Sequence, residues 1–529
     1  MKSKIKSIAL EGCLYLSVFL FSLICYVIFV PLVNGVDKIS GSPSYLGEGV
    51  IAKLFCMFLL IILLFVFITL LIYKKANRKL TIFVFILGSV IVRLCFVLST
   101  VNRAKSGGEL QYDTWGNSTH FRYAETIFLT GKLPSDNNYQ FYHPPLNAII
   151  QSGFMAFFKK LFSFINNRCA WLTSNKGLIL SNESYYHACT VLSMVYVTVI
   201  TVTAAKIFKE LNVKGLGGLL ACFFVIFFPR LIQFSGQLNN DVLCLTLSVL
   251  SVYYAIKFYK NCSWINLVLL ALSIGLAMMT KLNGAIIALP IAILMVIVFV
   301  KQIKDKKTLN IIIKYCVFIA ICAPLGLWFS VYAKVRFNQE FGYVFSNLNS
   351  GLSTADVPVF KRFSLPTLGI IFKNPFARSW DDYNFIDYMT KSSMFGEFLF
   401  PNVTVLAYFS VILNYLFQIS FLVGLVYWLI NRVNKKIKIF DLSTITFLSI
   451  LVFLIVLQIY FYLKMPYGCT MDFRYVTTLV IAYGGMSGIV VNESKESTCL
   501  KGYKTGGRAL AFCSIALISC TALAYILAI

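Results

Sequence analysis

Long apolar runs alternate with short polar segments along almost the whole chain of 529 residues. A helix needs roughly 20 apolar residues to cross the hydrocarbon core of a bilayer, which is ~30 Å thick. The pattern predicts thirteen such helices, at about residues 8–33, 50–73, 80–100, 186–208, 215–232, 241–258, 264–280, 284–300, 309–333, 403–430, 439–462, 473–491 and 509–528. The first run is too long for the apolar part of a signal peptide, so we interpret it as a retained anchor. The chain is therefore expected to be an all-α polytopic membrane protein.

Composition and charge agree with this class. Hydrophobic residues make up 59% of the chain and charged residues 13%, whereas soluble globular proteins are about 45–50% apolar. The net charge of +26 is distributed in short clusters between apolar runs and not along one continuous surface. That distribution is typical of membrane topology and argues against a nucleic-acid partner. The bilayer itself is the expected partner.

The basic clusters predict the orientation of the chain. They fall in alternate loops, near residues 2–6, 74–79, 206–214, 257–260, 301–307, 432–438 and 495–508. An N-terminus on the cytoplasmic side places every cluster inside, as the positive-inside rule requires. Two long loops, at about 101–185 and 334–402, then lie outside. The same alternation places four uncommon polar residues at outer ends of spans, namely Asp113, Asp241, Lys281 and Arg474, which suggests an outward-facing site.

Both long outer loops are expected to carry interfacial helices. The first contains a polar stretch, residues 107–143, that holds two of the three histidines of the chain. Its aromatic content argues against disorder, and loops longer than about 15 residues are often functional. The apolar segment Leu146–Ile165 includes Lys159 and Lys160. A span there would reverse the orientation of all later loops, so we predict a helix lying on the outer leaflet. The second loop is also rich in aromatic residues, which favour the headgroup region.

Four groups of residues resemble GT-C glycosyltransferases, in order and spacing, from about residue 80 to 491. The likeness is closest to the protein-mannosyltransferase and aminoarabinose-transferase branch (glycosyltransferase family 39 and its bacterial relatives). The first group comprises Tyr112-Asp113, His120-Phe121, Tyr123, Gly131-Lys132-Leu133-Pro134 and His143-Pro144-Pro145-Leu146. The others are Pro229 with Ser235 and Asn239-Asn240-Asp241, then Thr280-Lys281 with Gly284, then Arg474-Tyr475. The chain departs from many members at Asp113, which is followed by Thr114 where they have glutamate.

The resemblance implies transfer of a sugar from polyprenyl phosphate to an acceptor hydroxyl of a glycan, lipid or protein. It implies that Asp113 is the general base and that His120 assists it or orients the phosphate. Cations aimed at the phosphate stabilise the charge that grows as the glycosidic bond breaks. The implied substrate-binding residues are Tyr112, His143, Asp241, Lys281 and Arg474. In-line attack with one base predicts inversion at the anomeric carbon.

Each candidate also has a purely structural interpretation. Glu125 is expected to form a local ion pair with Arg122. The other structural roles are a solvated carboxylate for Asp113, a turn brace for His143, a helix cap for Asp241, snorkelling to the interface for Lys281 and an ion pair with Asp472 for Arg474. A divalent cation held by Asp113, Asp241 and Asp472 is also left open.

The same pattern divides the chain into four parts: an N-terminal transmembrane hairpin (1–79), a catalytic membrane module (80–333) that includes loop 101–185, the second outer loop (334–402), and C-terminal transmembrane helices (403–529). Two rival functions remain: a transporter or flippase of lipid-linked sugars, and a non-catalytic membrane subunit. A bacterial plasma membrane is the expected location, with the endoplasmic reticulum as the alternative.

Overall fold

The computed structural model describes residues 11–25, 45–100, 119–137, 139–168, 182–343, 351–496 and 501–528. Over these residues the chain is built of helices, and its β contact is one isolated bridge between Ser353 and Tyr467. The α-helices are α1 Glu11–Cys25, α2 Tyr45–Ile72, α3 Arg78–Ser99, α4 His120–Thr130, α5 Leu146–Arg168, α6 Asn182–Glu210, α7 Gly215–Ile226, α8 Pro229–Phe234, α9 Asn240–Asn261, α10 Trp264–Thr280, α11 Ala288–Lys304, α12 Thr308–Phe337, α13 Val359–Arg362, α14 Leu368–Lys373, α15 Phe385–Phe395, α16 Thr404–Asn434, α17 Leu442–Lys464, α18 Leu479–Glu496 and α19 Lys501–Leu527. The predicted all-α class is confirmed.

The long helices coincide with the predicted spans. Ten helices within the described ranges are long and apolar enough to cross a membrane. An eleventh span is formed if the turns Gly468–Val476 and helix α18, which meet at a bend of 57°, are counted together. Two further predicted runs correspond to the shorter apolar helices α1 and α10. The chain is thus a polytopic membrane protein, and the total of thirteen spans stays a prediction.

Helix α18 runs through the centre of the bundle and fixes the position of the site. It packs against α7, α16, α17 and α19, and most of its residues are buried. The short turn Phe473–Val476 precedes it and carries Arg474. Because this turn is attached to a mostly buried helix, the arginine is held in a fixed place relative to the rest of the bundle.

Helix α5 contains the apolar segment that was predicted to lie on the outer leaflet. It does not qualify as a candidate span, and it packs against α4 and α6. Its buried face carries Phe154, Phe158 and Phe162, whereas Phe157 and Phe164 are exposed. This amphipathic arrangement fits the predicted interfacial position, which stays a prediction because no membrane is present.

The second outer loop is anchored to the bundle through α15. Lys391 lies 2.6 Å from Asp387 one turn earlier, and both side chains are almost fully buried. The other carboxylate oxygen of Asp387 accepts a hydrogen bond of 2.9 Å from the hydroxyl of Tyr415 on α16. Removing one partner of such a buried pair generally costs about 3–5 kcal/mol. The pair therefore fixes the segment that leads to Gly396 and Glu397.

The predicted orientation can be tested with one engineered cysteine. Ser135 is exposed in the turn after α4, in the loop that is expected to lie outside. We expect a cysteine at Ser135 to be labelled by a membrane-impermeant maleimide in intact cells. A cysteine at Lys435, exposed between α16 and α17, should be labelled only after the cells are opened. The reverse pattern would overturn the assignment of sides, and the unsubstituted protein gives the background from native cysteines.

Candidate active site

Helix α4 presents His120 at its first position. The N-cap is Thr119, whose hydroxyl oxygen accepts a hydrogen bond of 3.2 Å from the backbone N–H of Arg122. Such caps satisfy amide groups that have no partner inside the helix. Arg122 forms an ion pair with Glu125 along the same helix, as the sequence predicted. Glu125 is therefore engaged locally, and His120 is the residue of α4 that enters the site.

His143 lies beside His120 and is held by its backbone. The hydroxyl of Tyr123 donates a hydrogen bond of 3.2 Å to the carbonyl oxygen of His143. The two imidazole rings are nearly parallel, with centroids 5.8 Å apart. The turn at His143 is thus braced, as one interpretation predicted, and its ring still faces the site.

Both histidines are held in the neutral form. Enclosure by the surrounding protein lowers the pKa of His120 to about 3, and the positive charges of Lys281 and Arg474 add to this effect. The same causes, with burial the largest, hold the pKa of His143 well below its usual value. A neutral imidazole carries one N–H donor and one acceptor nitrogen. Near neutral pH these rings can orient a substrate group by hydrogen bonding, but they carry no proton to give as imidazolium.

Asp241 and Lys281 form an ion pair inside the bundle. Asp241 lies in the first turn of α9, but the N-cap of that helix is Asn239, so the capping role considered for Asp241 is wrong. Its Oδ1 lies 2.6 Å from Nζ of Lys281, and the side chains are 5% and 12% exposed. Lys281 is therefore paired within the protein and does not extend freely to the interface. An ammonium group has three donors, so two remain for another ligand.

The Thr-Lys-x-x-Gly element is a tight turn that holds Lys281 in place. Lys281 leaves α10 with an extended backbone, and the N–H of Gly284 donates to its carbonyl oxygen over 2.8 Å. A Cβ atom on Gly284 would lie 2.6 Å from the carbonyl carbon of Ala277. Only glycine allows this close approach. Close packing thus explains the glycine of this motif, and the position of Lys281 gives the motif a possible role in the site.

Arg474 is fixed through Asp472, which a second arginine neutralises. The backbone N–H of Arg474 donates to Oδ1 of Asp472 over 2.9 Å. One terminal nitrogen of Arg230 lies 3.0 Å from both oxygens of the same carboxylate, and both side chains are 1% exposed. Arg230 is thus the ion-pair partner of Asp472. The guanidinium of Arg474 lies farther from this carboxylate, at 3.7 Å.

The guanidinium of Arg474 keeps unused donors. One terminal nitrogen donates to the hydroxyl of Tyr475 over 3.2 Å, and the other lies 3.8 Å from Glu397. Its Nε has no hydrogen-bond partner among the described residues. This Nε faces Asp472 at 3.7 Å, whereas the side chain as a whole is 25% exposed, so its terminal nitrogens can donate to a ligand. The geometry therefore suits an incoming anion.

The ring of Tyr475 brings the two cations together. Nζ of Lys281 and the guanidinium carbon of Arg474 each lie 5.0 Å from the centroid of that ring. Both cations, together with Asp241, also affect the pKa of His120. The structure thus gathers His120, His143, Asp241, Lys281 and Arg474 in one place, from four separate segments of the chain.

A narrow cavity of about 30 Å³ opens beside this cluster. Its polar lining consists of Asp241, Ser248, Asn283, Arg474, Tyr475, Thr477 and Thr478. Its apolar part is lined by Leu245, Ile286, Ile287 and Leu454. A lining that combines charged and apolar side chains suits a ligand with a charged head and a hydrocarbon tail.

A larger cavity, of about 420 Å³, lies near the other end of α9. Its wall includes Lys260, whereas Asp241 begins the same helix of 22 residues, so the two cavities lie roughly 30 Å apart. The charged groups there are paired with one another: Arg432 binds Glu493 at 2.6 Å, and Lys260 binds Glu210 at 2.8 Å. The smaller cavity is the better candidate site, because it borders a cation with unused donors.

Some predicted site residues cannot be placed. Tyr112 and Asp113 lie outside the described residues. Of the three carboxylates considered for a divalent cation, Asp241 and Asp472 are each bound to a basic side chain. Within the described ranges, no group of three His, Cys, Asp or Glu side chains is arranged for a metal ion.

Glu397 is a site residue to which sequence analysis gave no role. It follows Gly396, which has a positive φ of 62°. A Cβ atom on Gly396 would also lie 1.9 Å from a terminal nitrogen of Arg230. Glycine is therefore required at this turn. The sequence feature that could have indicated Glu397 is the Gly-Glu pair that follows a short helix.

Residues 169–328 match the family model described as dolichyl-phosphate-mannose-protein mannosyltransferase. This supports a membrane glycosyltransferase of the GT-C type. The matched segment includes Asp241 and Lys281 but neither Asp113 nor Arg474. It lies within the part of the chain where the motif resemblance was found, and that resemblance is confirmed. No curated protein matches the chain.

Proposed function

We propose that this glycosyltransferase moves a sugar from polyprenyl phosphate to an acceptor hydroxyl at the outer face of the membrane, with inversion at the anomeric carbon. The observation that carries the proposal is the position of Lys281 and Arg474, both 5.0 Å from the Tyr475 ring, beside a cavity with an apolar wall. The two cations are suited to bind a phosphate group, and the apolar side chains are suited to contact an isoprenoid tail.

The donor would enter by widening the narrow cavity. Its present volume, about 30 Å³, is close to that of one or two water molecules and cannot hold an isoprenoid unit. Leu245 of α9 and Leu454 of α17 both line the cavity. Separation of these two helices would admit the tail from the bilayer while the phosphate reaches Arg474.

In the proposed reaction the carboxylate of Asp113 takes the proton of the acceptor hydroxyl. The acceptor oxygen then forms a bond to the anomeric carbon, and the bond from that carbon to the phosphate oxygen breaks. The electron pair leaves with polyprenyl phosphate, whose negative charge grows in the transition state. Lys281 and Arg474 stabilise that charge more strongly than the charge of the bound donor. One displacement inverts the configuration.

The remaining candidates would orient the reacting groups. Asp241 holds Lys281 by the 2.6 Å ion pair. His120 and His143, both neutral, would offer N–H groups to the phosphate or to a sugar hydroxyl. Tyr112, next to Asp113, would contribute to substrate binding, and a divalent cation at Asp113 remains open as an additional ligand of the phosphate.

A bacterial plasma membrane is the location we favour, with the endoplasmic reticulum as the alternative. The rival function of a transporter predicts charges near the middle of broken spans. Here Asp241 lies in the first turn of its helix and Lys281 follows the end of α10, whereas Arg474 lies close to the bend that precedes α18. Charges at the ends of spans favour a site at one membrane face.

The proposal is tested with the purified protein in detergent, where transport cannot be measured because no membrane separates two compartments. Polyprenyl phosphates bearing mannose, galactose or aminoarabinose are incubated with membranes from cells that lack the protein, which supply the acceptor. We expect release of free polyprenyl phosphate with one of these donors, together with a glycosylated product. A parallel sample with a metal chelator tests whether a divalent cation is needed. No release with any donor, combined with movement of a sugar lipid across proteoliposomes, would instead support the transporter.

A further inference from the structure

Glu397 is the carboxylate that faces the guanidinium of Arg474 from the second outer loop. One of its oxygens accepts hydrogen bonds from the hydroxyls of Tyr388 and Ser379. Those two hydroxyls lie 2.7 Å from each other, so the three groups form a closed set. The other oxygen of Glu397 is left directed toward Arg474, at 3.8 Å.

The separation of 3.8 Å is longer than a hydrogen bond and still allows strong Coulomb attraction. Arg474 and Glu397 are each 25% exposed, so neither is sealed from a ligand. The hydrogen bonds from Tyr388 and Ser379 hold the oxygen of Glu397 that does not face the arginine. Arg474 therefore has a negative neighbour that moderates its charge without occupying its donors.

The charges of the site balance almost completely in the described residues. Lys281 pairs with Asp241, and Asp472 is bound by Arg230. Glu397 is then the carboxylate near Arg474 that has no other cation bound to it in the described residues, whereas Asp472, 3.7 Å from Arg474, is shared with Arg230. A phosphate that binds to Arg474 must compete with this neighbour, and the same competition helps it to leave.

We propose that Glu397 limits how tightly Arg474 holds phosphate and so permits release of the polyprenyl phosphate product. The inference rests on the proposed function, since it assigns Glu397 a part in that reaction. The product carries more negative charge at its phosphate than the donor, because the phosphodiester becomes a monoester. Two cations strong enough to stabilise the leaving group would otherwise retain the product and inhibit the next turnover.

Three roles for Glu397 predict different results. If it offsets the charge of Arg474, Glu397→Gln tightens binding of phosphate ligands. If it only braces Arg474, the substitution disorders the arginine and weakens binding. If it recognises the sugar, the substitution raises the donor KM but leaves the affinity for a sugar-free phosphate unchanged.

The test uses farnesyl phosphate, a short polyprenyl phosphate without sugar, and isothermal titration calorimetry of the full chain in detergent. Glutamine can accept the same two hydrogen bonds at one oxygen, so Glu397→Gln mainly removes charge. We expect it to bind farnesyl phosphate about three- to tenfold more tightly than the unsubstituted protein, a gain that solvent exposure keeps modest. In steady-state assays the donor KM, the inhibition constant of farnesyl phosphate and kcat should all fall.

Two matched variants control the measurement. Asp381→Asn removes the same formal charge from the same outer segment, but Asp381 is 40% exposed and pairs with Arg378 at 3.1 Å. Glu397→Asp retains the charge at Glu397. Both should bind farnesyl phosphate within about twofold of the unsubstituted protein, Asp381→Asn because exposed charges are strongly screened and Glu397→Asp because the charge is kept.

The outcomes separate this inference from the proposed function. Unchanged or weaker binding by Glu397→Gln, with normal binding by the unsubstituted protein, would overturn the role of Glu397 alone. Equal tightening by Asp381→Asn would show a general effect of net charge and would also overturn it. Failure of the unsubstituted protein to bind farnesyl phosphate would count against the phosphate site itself.

Discussion

Replacing Lys281 by methionine is expected to lower kcat by about 10²- to 10³-fold, the usual effect of losing one group that stabilises developing negative charge. Nζ of Lys281 lies beside the same tyrosine ring as Arg474, so its loss removes one of two cations at the proposed phosphate position. Methionine has a similar length and no charge. Turnover of the lipid donor and the affinity for farnesyl phosphate are the measurements, and both should weaken.

A control is needed, because Lys281 also has a structural partner. The single substitution leaves Asp241 buried without its cation, which generally costs about 3–5 kcal/mol. Lys281→Met combined with Asp241→Asn removes both charges and should restore thermal stability in detergent. We expect the double variant to remain inactive. Turnover near that of the unsubstituted protein in the double variant would show that Lys281 serves only to neutralise Asp241.

The sequence predicted the features that depend on local pattern. Apolar runs of about 20 residues gave the positions of the long helices, because the length of a span is set by the bilayer. The alternation of basic loops grouped Asp241, Lys281 and Arg474 at ends of spans that face one side. The structure brings these three residues together, although the side of the membrane remains a prediction.

The partners of those residues could not be predicted in the same way. Arg230 and Asp472 are 242 positions apart in sequence, and their pairing depends on how α8 and the turn before α18 pack. Glu397 reaches Arg474 only because Gly396 turns the chain there. Such contacts follow from tertiary packing, and a single sequence gives no periodic signal for them.

The sequence also does not distinguish two roles that use the same residue type. An aspartate in the first turn of a helix suits the helix dipole, and Asp241 meets that description, yet its carboxylate binds Lys281. Thr119 occupies the position where an ungapped comparison from Tyr123 would place the acidic residue. In the structure it is the N-cap of α4, which explains a threonine there. Asp113, the nearest preceding carboxylate, stays the predicted acid.

Replacing Asp113 by asparagine is expected to reduce kcat by about 10²- to 10⁴-fold, the usual contribution of a general base. Asparagine has nearly the same shape but cannot take the acceptor proton at neutral pH. Binding of farnesyl phosphate should remain normal, since Lys281 and Arg474 are unchanged. The measurements are the rate of sugar transfer and calorimetric binding, with elution from size exclusion as the check of folding.

Asp136→Asn is the matched control, because Asp136 is an exposed carboxylate in the same loop. It should retain the turnover of the unsubstituted protein. If Asp113→Asn were folded and fully active, Asp113 would not be the base. Asp241 and Asp472 are each tied to a cation by a short contact, so the proton acceptor would have to be sought at Glu397, whose free oxygen faces the site. Substitution of these two carboxylates is thus expected to have different effects. Loss of Asp113 should stop the chemical step, whereas loss of Glu397 should increase the affinity for phosphate.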